Sequence, residues 1–314
     1  MRPSRWRHNL LLMNKILAIG IRMLFWLIRL LPVRLAGAVG AGIGRTAYYL
    51  IARHRNIALN NLKRVYPDRD ESWRRRIGRE SFAELGRTMF ELPHVFLRSK
   101  AFLLSRVEVE GEEPFRMAME QKRGVFVNAC HHSNWELGGL MLSLLGYDSS
   151  IIYRPIKNPE LEDYLKQCRE RFGATVQSRF DGLRWLPKTL NRGGSIDVMV
   201  DQHMSQGIEV PFLGHPSSTT PLPATFAIRN QTPLFGVAIK RTGRSFRFHL
   251  TFWPINPPEL TGDKEIDTQN IMGAITESFA PIIHERPELW LWIHRRWLLL
   301  DEQGSPSEVS HGAS

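Results

Sequence analysis

The chain has 314 residues, with 42 Lys and Arg against 31 Asp and Glu, a formal net charge of +11, 43% hydrophobic and 23% charged residues. These proportions suit one large domain or two small ones with an ample core, and exclude disordered and collagen-like chains. Two cysteines, Cys130 and Cys168, exclude a disulfide framework.

The positive charge would suggest nucleic acid if it were spread over the protein. It is not. Residues 1–67 carry twelve Lys and Arg and no acid precedes Asp68, whereas the remainder holds 30 basic and 31 acidic side chains. The excess accompanies an apolar run, residues 9–33, long enough to cross a bilayer, which takes about 20 residues. Lys15, Arg22 and Arg29 interrupt the run at intervals of seven, which places them on one stripe of a helix. A spanning helix with Arg22 near its middle costs at least ~2.5 kcal/mol. A helix lying in the interface with that stripe toward anionic headgroups avoids the cost. Both readings make residues 1–34 a hydrophobic membrane-anchoring helix, and a span would keep Arg2, Arg5 and Arg7 on the cytoplasmic side. A cleaved signal peptide is a competing reading, with Leu35-Ala36-Gly37-Ala38 as cleavage site, but Arg22 and Arg29 fall in its apolar segment. A buried core helix is a third reading, and bases without acids argue against it.

Residues 35–66 read as helical, small residues first, until Pro67-Asp68 breaks the pattern. Residues 69–97 carry another helical pattern that should end near Pro93. From about residue 105 the texture becomes α/β. Strands are expected at 125–129, 150–153 and 196–200, and helices at 133–145, 159–172, 182–191 and 219–229. A hairpin is expected from 234–240 and 246–253 across Thr242-Gly243, followed by a helix over 267–285 and an apolar run at 289–293. This alternation predicts an α/β fold with a mixed central sheet flanked by helices. The domain should run from 35 to 300, with a helical N-terminal part to about 100, and a flexible polar tail over 301–314.

The stretch that carries chemistry is Cys130-His131-His132-Ser133-Asn134-Trp135-Glu136-Leu137, where a strand ends and a helix begins. Such turns collect ligands and catalytic groups in α/β folds. A His held by a carboxylate can serve as a general base. His131 and Glu136 are five apart and would not meet on one continuous helix. They can meet if His131 sits in the turn and Glu136 in the first helical turn. Ser133 with Glu136 also forms an S-x-x-E capping box, which would start the helix at Ser133; in that case Glu136 simply caps, and both readings stay open on spacing alone.

The pattern His131-x4-Glu136 resembles the H-x4-D/E motif of glycerolipid-type acyltransferases. The fuller HHSNWELGG string resembles that of the late acyltransferases of lipid A biosynthesis, the lauroyl and myristoyl transferases, and of the related phosphatidylinositol mannoside acyltransferases. Further segments agree in order along nearly the whole chain. They are Arg53-x6-Asn60-Asn61-Leu62-x3-Tyr66-Pro67, then Tyr153-Arg154-Pro155 with Arg169, Arg171 and Gly173, then Asp201-Gln202 with Val210-Pro211-Phe212-Leu213-Gly214, and finally Pro287-Glu288-Leu289-Trp290-Leu291-Trp292-Ile293-His294-Arg295-Arg296-Trp297.

The resemblance implies acyl transfer from an acyl carrier protein or coenzyme A thioester to a hydroxyl of a membrane glycolipid, most simply a lipid A precursor, on the cytoplasmic face of a bacterial inner membrane. A phosphatidylinositol mannoside or another lipid is the alternative acceptor, and a non-enzymatic membrane-associated binding protein is the alternative function. It implies His131 as base and Glu136 as its orienting partner. Arg169 is implied as an oxyanion or phosphate contact, and Glu209 as a site glutamate matched in the mannoside enzymes. Asp201 is expected to structure the site, and Arg154, Arg295 and Arg296 are the candidate phosphate contacts. His203, His215 and His249 read as ordinary histidines. No G-x-S-x-G elbow occurs, consistent with direct attack. No H-E-x-x-H, CxxC or P-loop pattern occurs, so neither a metal nor a resident cofactor is expected.

Overall fold

The computed structural model describes residues 5–298, with side chains from residue 12 onward. The expected flexible tail over 301–314 lies outside the described residues. Helix α1 (Arg5–Leu30) is followed by α2 (Val33–Leu50) and α3 (Ala52–Val65), so the single helix expected over 35–66 is two helices broken at Ile51. Helix α4 (Glu71–Leu97) starts where Asp70 caps it, its carboxylate accepting from Trp73 N at 2.6 Å. It runs past Pro93 instead of ending there. The ring removes one hydrogen bond, but Val95 and Phe96 beyond it are fully buried and hold the last turn.

The α/β part comprises α5 (Lys100–Leu104), β1 (Val107–Glu110), α6 (Glu112–Glu120), β2 (Val125–Ala129), α7 (Trp135–Leu145), β3 (Ser149–Tyr153), α8 (Pro159–Glu170) and β4 (Thr175–Ser178). It continues through α9 (Trp185–Asn191), β5 (Ser195–Met199), β6 (Ile208–Phe212), β7 (His215–Thr219), α10 (Leu222–Asn230), β8 (Leu234–Arg241), β9 (Phe248–Ile255), α11 (Lys264–Glu277) and α12 (Ala280–Glu285). Seven strands form one mixed sheet in the order β1-β9-β8-β2-β5-β3-β4, parallel except for the β8–β9 hairpin, and β6 and β7 form a separate antiparallel pair. The mixed sheet flanked by helices agrees with the sequence. Strands β1 and β4 are short and alternate with polar residues, and β6 and β7 pair Pro211 with Pro216, which is why pattern reading passes over them. The helix expected over 267–285 breaks after Glu277, and Pro281 opens α12.

Both faces of the sheet are covered, so the central strands are largely apolar, with Asn128 of β2 and Ser195 and Asp197 of β5 as buried polar exceptions. Phe126, Ile196 and Val198 pack into one core with Phe279, Trp290, Trp292 and Trp297. Val125, Val127, Phe235 and Val237 pack into the other with Leu137, Leu140, Met141 and Phe115. Helix α2 lies against α4 at very short range: a Cβ on Gly40 would stand 2.3 Å from the Gly86 carbonyl oxygen, and one on Gly44 2.0 Å from that of Phe82. The small-residue run of α2 therefore serves a backbone-to-backbone helix contact.

Among the described residues no helix is long and apolar enough to cross a membrane, which corrects the spanning reading of α1. The basic stripe is also not where expected. Arg22 sits over the Tyr164 ring at 4.8 Å, and Lys15 is 4.0 Å from Glu160, so the stripe turns toward α8. The opposite side presents Met13, Ile16, Met23, Trp26, Leu27 and Leu30, each more than half exposed. Leu35, Val39, Ile43 and Leu50 of α2 extend the exposed apolar surface.

Candidate active site

Strands β2 and β5 are neighbours and run parallel, with Ala129 opposite Met199. Their carboxyl ends therefore deliver His131 and Asp201 to the same edge of the sheet, where α/β folds place their ligands. His131 Nδ1 is 2.7 Å from Asp201 Oδ1. Asp201 Oδ2 accepts from the His131 backbone N–H at 2.7 Å and from Trp290 Nε1 at 2.8 Å. Asp201 is 1% exposed and His131 15%. Burial by itself would raise the Asp201 pKa, but the charge and hydrogen bonds of His131, with the indole bond, take it down to about 2. Burial would lower the pKa of His131; the Asp201 charge and hydrogen bond outweigh it, with a weaker contribution from Glu136, and the net shift is upward. A carboxylate can only accept, so Nδ1 donates and the neutral ring keeps its lone pair on Nε2. Gln202 Nε2 lies 3.2 Å from that atom and donates to it.

The turn that carries His131 is tightly held. Ser133 adopts φ 51°, and His132 N donates to Cys130 O at 2.8 Å. Ser133 N donates to Leu289 O at 2.7 Å and Leu291 N to His131 O at 3.1 Å, so the C-terminal Trp-rich segment is laced to the turn. His132 points away, its Nδ1 bonded to the Ile239 carbonyl at 2.9 Å, and burial lowers its pKa. The cap of α7 is Asn134, which accepts from Leu137 N at 3.1 Å, and not Ser133. Ser133 Oγ donates to Glu84 at 3.1 Å instead, and Asn134 Nδ2 to Glu91 at 2.9 Å. Glu84 and Glu91 are in turn bound by Arg241, at 2.7 Å to Glu84 and 2.8 and 2.7 Å to Glu91, with all three side chains buried.

Glu136 does not hydrogen-bond His131, which corrects the expected pairing. Its carboxylate is gripped by Arg169, Nε to Oε2 at 3.0 Å and Nη2 to Oε1 at 2.6 Å. The reason lies in the start of α7: beginning at Trp135 rather than Ser133, the helix carries Glu136 around toward α8. Burial disfavours the Arg169 charge, and Glu136 more than restores it. Arg169 also lies 5.7 Å from the Tyr153 ring centre, and the Tyr153 hydroxyl bonds Glu162.

Other expected site residues lie elsewhere. Glu209 is exposed on β6, opposite Ser218, with no contact to His131. Arg154 is exposed just after β3, and Arg295 is exposed near the end of the described chain. Arg296 is fully buried, donating through Nη1 to the Gln202 and Ser218 carbonyls at 2.8 Å each and stacking over Phe212 at 4.7 Å. Burial lowers its pKa to about 10. It braces the Asp201–Gln202 loop and offers no surface to a phosphate. His203 donates its backbone N–H to His294 Nε2 at 3.2 Å, His215 packs edge-on to Trp297, and His249 lies 3.4 Å from Glu108. Sequence reading missed the roles of Trp290 and the Glu84–Glu91–Arg241 cluster. For the His131–Asp201 pair the available signal was two apolar strand runs, each ending two residues before a polar side chain, His131 after Cys130 and Asp201 after Val200. Among the described residues no group of three or more His, Cys, Asp or Glu side chains is arranged to hold a metal.

Beneath α7 lies an apolar cavity of about 60 Å³. Trp135, Gly138, Gly139 and Leu142, one helix face at i, i+3, i+4 and i+7, form its roof, and residues of β2, β3, β5 and β8 form its floor. The Trp135 ring stands 5.3 Å from the His131 ring, so the cavity abuts the site. Nothing lies within 4 Å of where a Gly139 Cβ would be.

The sequence model of the family described as "Bacterial lipid A biosynthesis acyltransferase" matches residues 5–299. The chain is 23% identical over 262 residues to a lipid A biosynthesis acyltransferase of Haemophilus influenzae, covering 83% of this chain and 79% of that protein. It is 24% identical over 295 residues to the lipid A biosynthesis lauroyltransferase of Escherichia coli, covering 92% and 93%. It is 25% identical over 227 residues to the phosphatidylinositol mannoside acyltransferase of Mycobacterium tuberculosis, covering 70% and 68%.

Proposed function

The chain belongs to the bacterial lipid A biosynthesis acyltransferase family and is an enzyme that transfers acyl groups; from that premise we propose that it acylates a hydroxyl of a lipid A precursor, with His131 as general base and Asp201 as the carboxylate that orients it. The observation that carries this reading is the 2.7 Å His131–Asp201 pair, which fixes the tautomer and leaves Nε2 able to take a proton. The acceptor oxygen attacks the thioester carbonyl carbon while His131 Nε2 takes the hydroxyl proton. The tetrahedral intermediate then collapses, the C–S bond breaks, and the proton passes from His131 to the departing thiolate. The acyl–oxygen ester and the free thiol of acyl carrier protein or coenzyme A are the products.

Two features support the rest of the assignment. The Glu136–Arg169 pair lies one helical turn from the base. Arg169 Nη1 has no hydrogen-bond partner among the described residues, which suits it to an oxyanion or an acceptor phosphate. The cavity under α7 is the place for the acyl chain. Its volume suits only a few waters, so an acyl chain requires it to widen, and Gly138 and Gly139 leave its α7 roof without side chains there. The exposed apolar sides of α1 and α2 suit a helix pair lying in the interface at the cytoplasmic face of an inner membrane, with apolar side chains rather than the basic stripe meeting the lipid.

Purified protein incubated with acyl carrier protein or coenzyme A thioesters, and with a lipid A precursor or a phosphatidylinositol mannoside, tests the reading by mass spectrometry. An added secondary acyl chain on the lipid A precursor, lost in His131→Ala, is the expected result. Transfer only to the mannoside, or transfer unchanged in His131→Ala, overturns it.

A further inference from the structure

One carboxyl with no cation partner among the described residues is buried on β5, the strand that leads to Asp201. Asp197 lies in the middle of β5 and is 7% exposed. Its Oδ1 accepts from Ser195 Oγ at 2.9 Å, while Oδ2 has no hydrogen-bond partner. Ser149 on β3 lies beside it, and its hydroxyl, with no other partner, is near enough to offer the carboxyl a second hydrogen bond. Burial pushes the Asp197 carboxyl up to about 7, so below neutral pH it is mostly a neutral acid.

The register decides where this group points. Asp197 stands opposite Val127 of β2 and Ile151 of β3, and all three line the cavity beneath α7. Asp201 is four residues further along the chain. Met199 ends the strand two residues after Asp197, so at ~3.3 Å per strand residue Asp197 sits about 7 Å back from the end of β5. An alkyl chain whose thioester lies at His131, and which passes Trp135 into the cavity, meets apolar wall until it reaches Asp197. Covering that point with hydrocarbon expels any water that serves the carboxyl and leaves only the Ser195 and Ser149 hydroxyls to bond it. Such a group disfavours the covering state by roughly 5- to 150-fold.

On the reading that this is an acyltransferase whose donor chain occupies the cavity, we propose that Asp197 sets the length of acyl chain the enzyme accepts. Chains that stop short of the carboxyl are favoured over chains that must cover it.

The test uses the full chain, one acceptor and a series of saturated acyl thioesters of increasing length. Asp197→Val should raise kcat/KM for the longer donors about tenfold relative to the wild type's preferred donor. Asp197→Asn, which keeps a polar group of the same size, should leave the length profile as it is. A wild-type profile in Asp197→Val, or an equal shift in Asp197→Asn, overturns the inference. A measurement on the wild type alone covers the case in which the valine variant does not fold. Calorimetric affinity for free fatty acids should rise with each added methylene and then stop rising; a continuous rise overturns the inference. Gly139→Leu separates the two readings, because it fills the cavity near the roof and should shorten the accepted chain. If it does so while Asp197→Val changes nothing, the acyltransferase reading stands and this inference falls. If Gly139→Leu leaves the profile unchanged, the cavity is not the acyl site and the inference falls with it. Absence of any acyl transfer by the wild type overturns the proposed function itself.

Discussion

Two buried ionic clusters stand on either side of the His131 turn, and they differ in one respect. In the Arg241–Glu84–Glu91 cluster the guanidinium meets both carboxylates, and Ser133 and Asn134 take up further oxygens, so the charges face one another in the interior. In the His131–Asp201 pair the carboxylate is equally well satisfied, by two donors of His131 and one of Trp290, but the imidazole keeps one nitrogen whose only partner is the Gln202 amide. The first cluster is a closed fitting between α4, β8 and the turn. The second has an open side. The lesson is that burial of charge does not mark the working group; a lone pair held by nothing stronger than a neutral amide does.

The sharpest break of this comparison is His131→Ala, which should lower kcat by about 10²–10⁴-fold with little change in melting temperature, as steady-state assay and thermal unfolding would report. Arg241→Met should do the converse. It leaves Glu91 buried without a cation, and Glu84 with Arg87 alone, and should cost about 3–5 kcal/mol in chemical denaturation; a variant as stable as the wild type would show that the cluster is not a structural fitting. Glu136→Gln should reduce activity about 10-fold by loosening Arg169, without moving the pH profile. If it moved that profile as Asp201→Asn does, Glu136 rather than Asp201 would be the partner of His131.

The smallest effect is in that profile. His131 must be neutral to accept a proton, and its folded pKa is raised, so kcat/KM should climb with pH through a midpoint above the ordinary imidazole value of about 6.5. Asp201→Asn removes the raising charge and leaves burial, so the midpoint should fall. The linked stability has the same origin. The raised His131 contributes stability below its unfolded pKa that is lost as pH rises through the folded value. Asp201, lowered to about 2, contributes stability above its unfolded pKa that is lost as pH falls toward 2. Acid and base titrations of unfolding should show both losses in the wild type and each reduced in an Asp201→Asn, His131→Ala double variant, the remaining acid loss coming from other lowered carboxylates such as Glu80 and Asp267.

Much of this was legible without coordinates. The segregation of charge marked α1 as a special element, because a run of bases without acids among apolar residues is a local property. Strand β2 and the turn after it could be read because a short apolar run ending in two histidines needs no knowledge of the rest of the chain. The same holds for the α/β class, since alternation of periods is local too. The signature segments along the chain pointed to the acyltransferase family for the same reason. Pairing was not local. The family resemblance implied Glu136 as the partner of His131, five residues away, whereas Asp201, 70 residues on, is its neighbour because β5 lies beside β2 in the sheet. Likewise, the periodicity of α1 separated a basic stripe from an apolar face, but a helix wheel does not say which side turns inward. Tyr164 and Glu160 of α8 drew the bases in and left the apolar side exposed. The sequence by itself determined the elements and the chemistry they carry, since both follow from neighbours along the chain. Only the tertiary structure decided which charge meets which, since a hydrogen bond of 2.7 Å depends on strand order and helix start, and neither is written in any one stretch of residues.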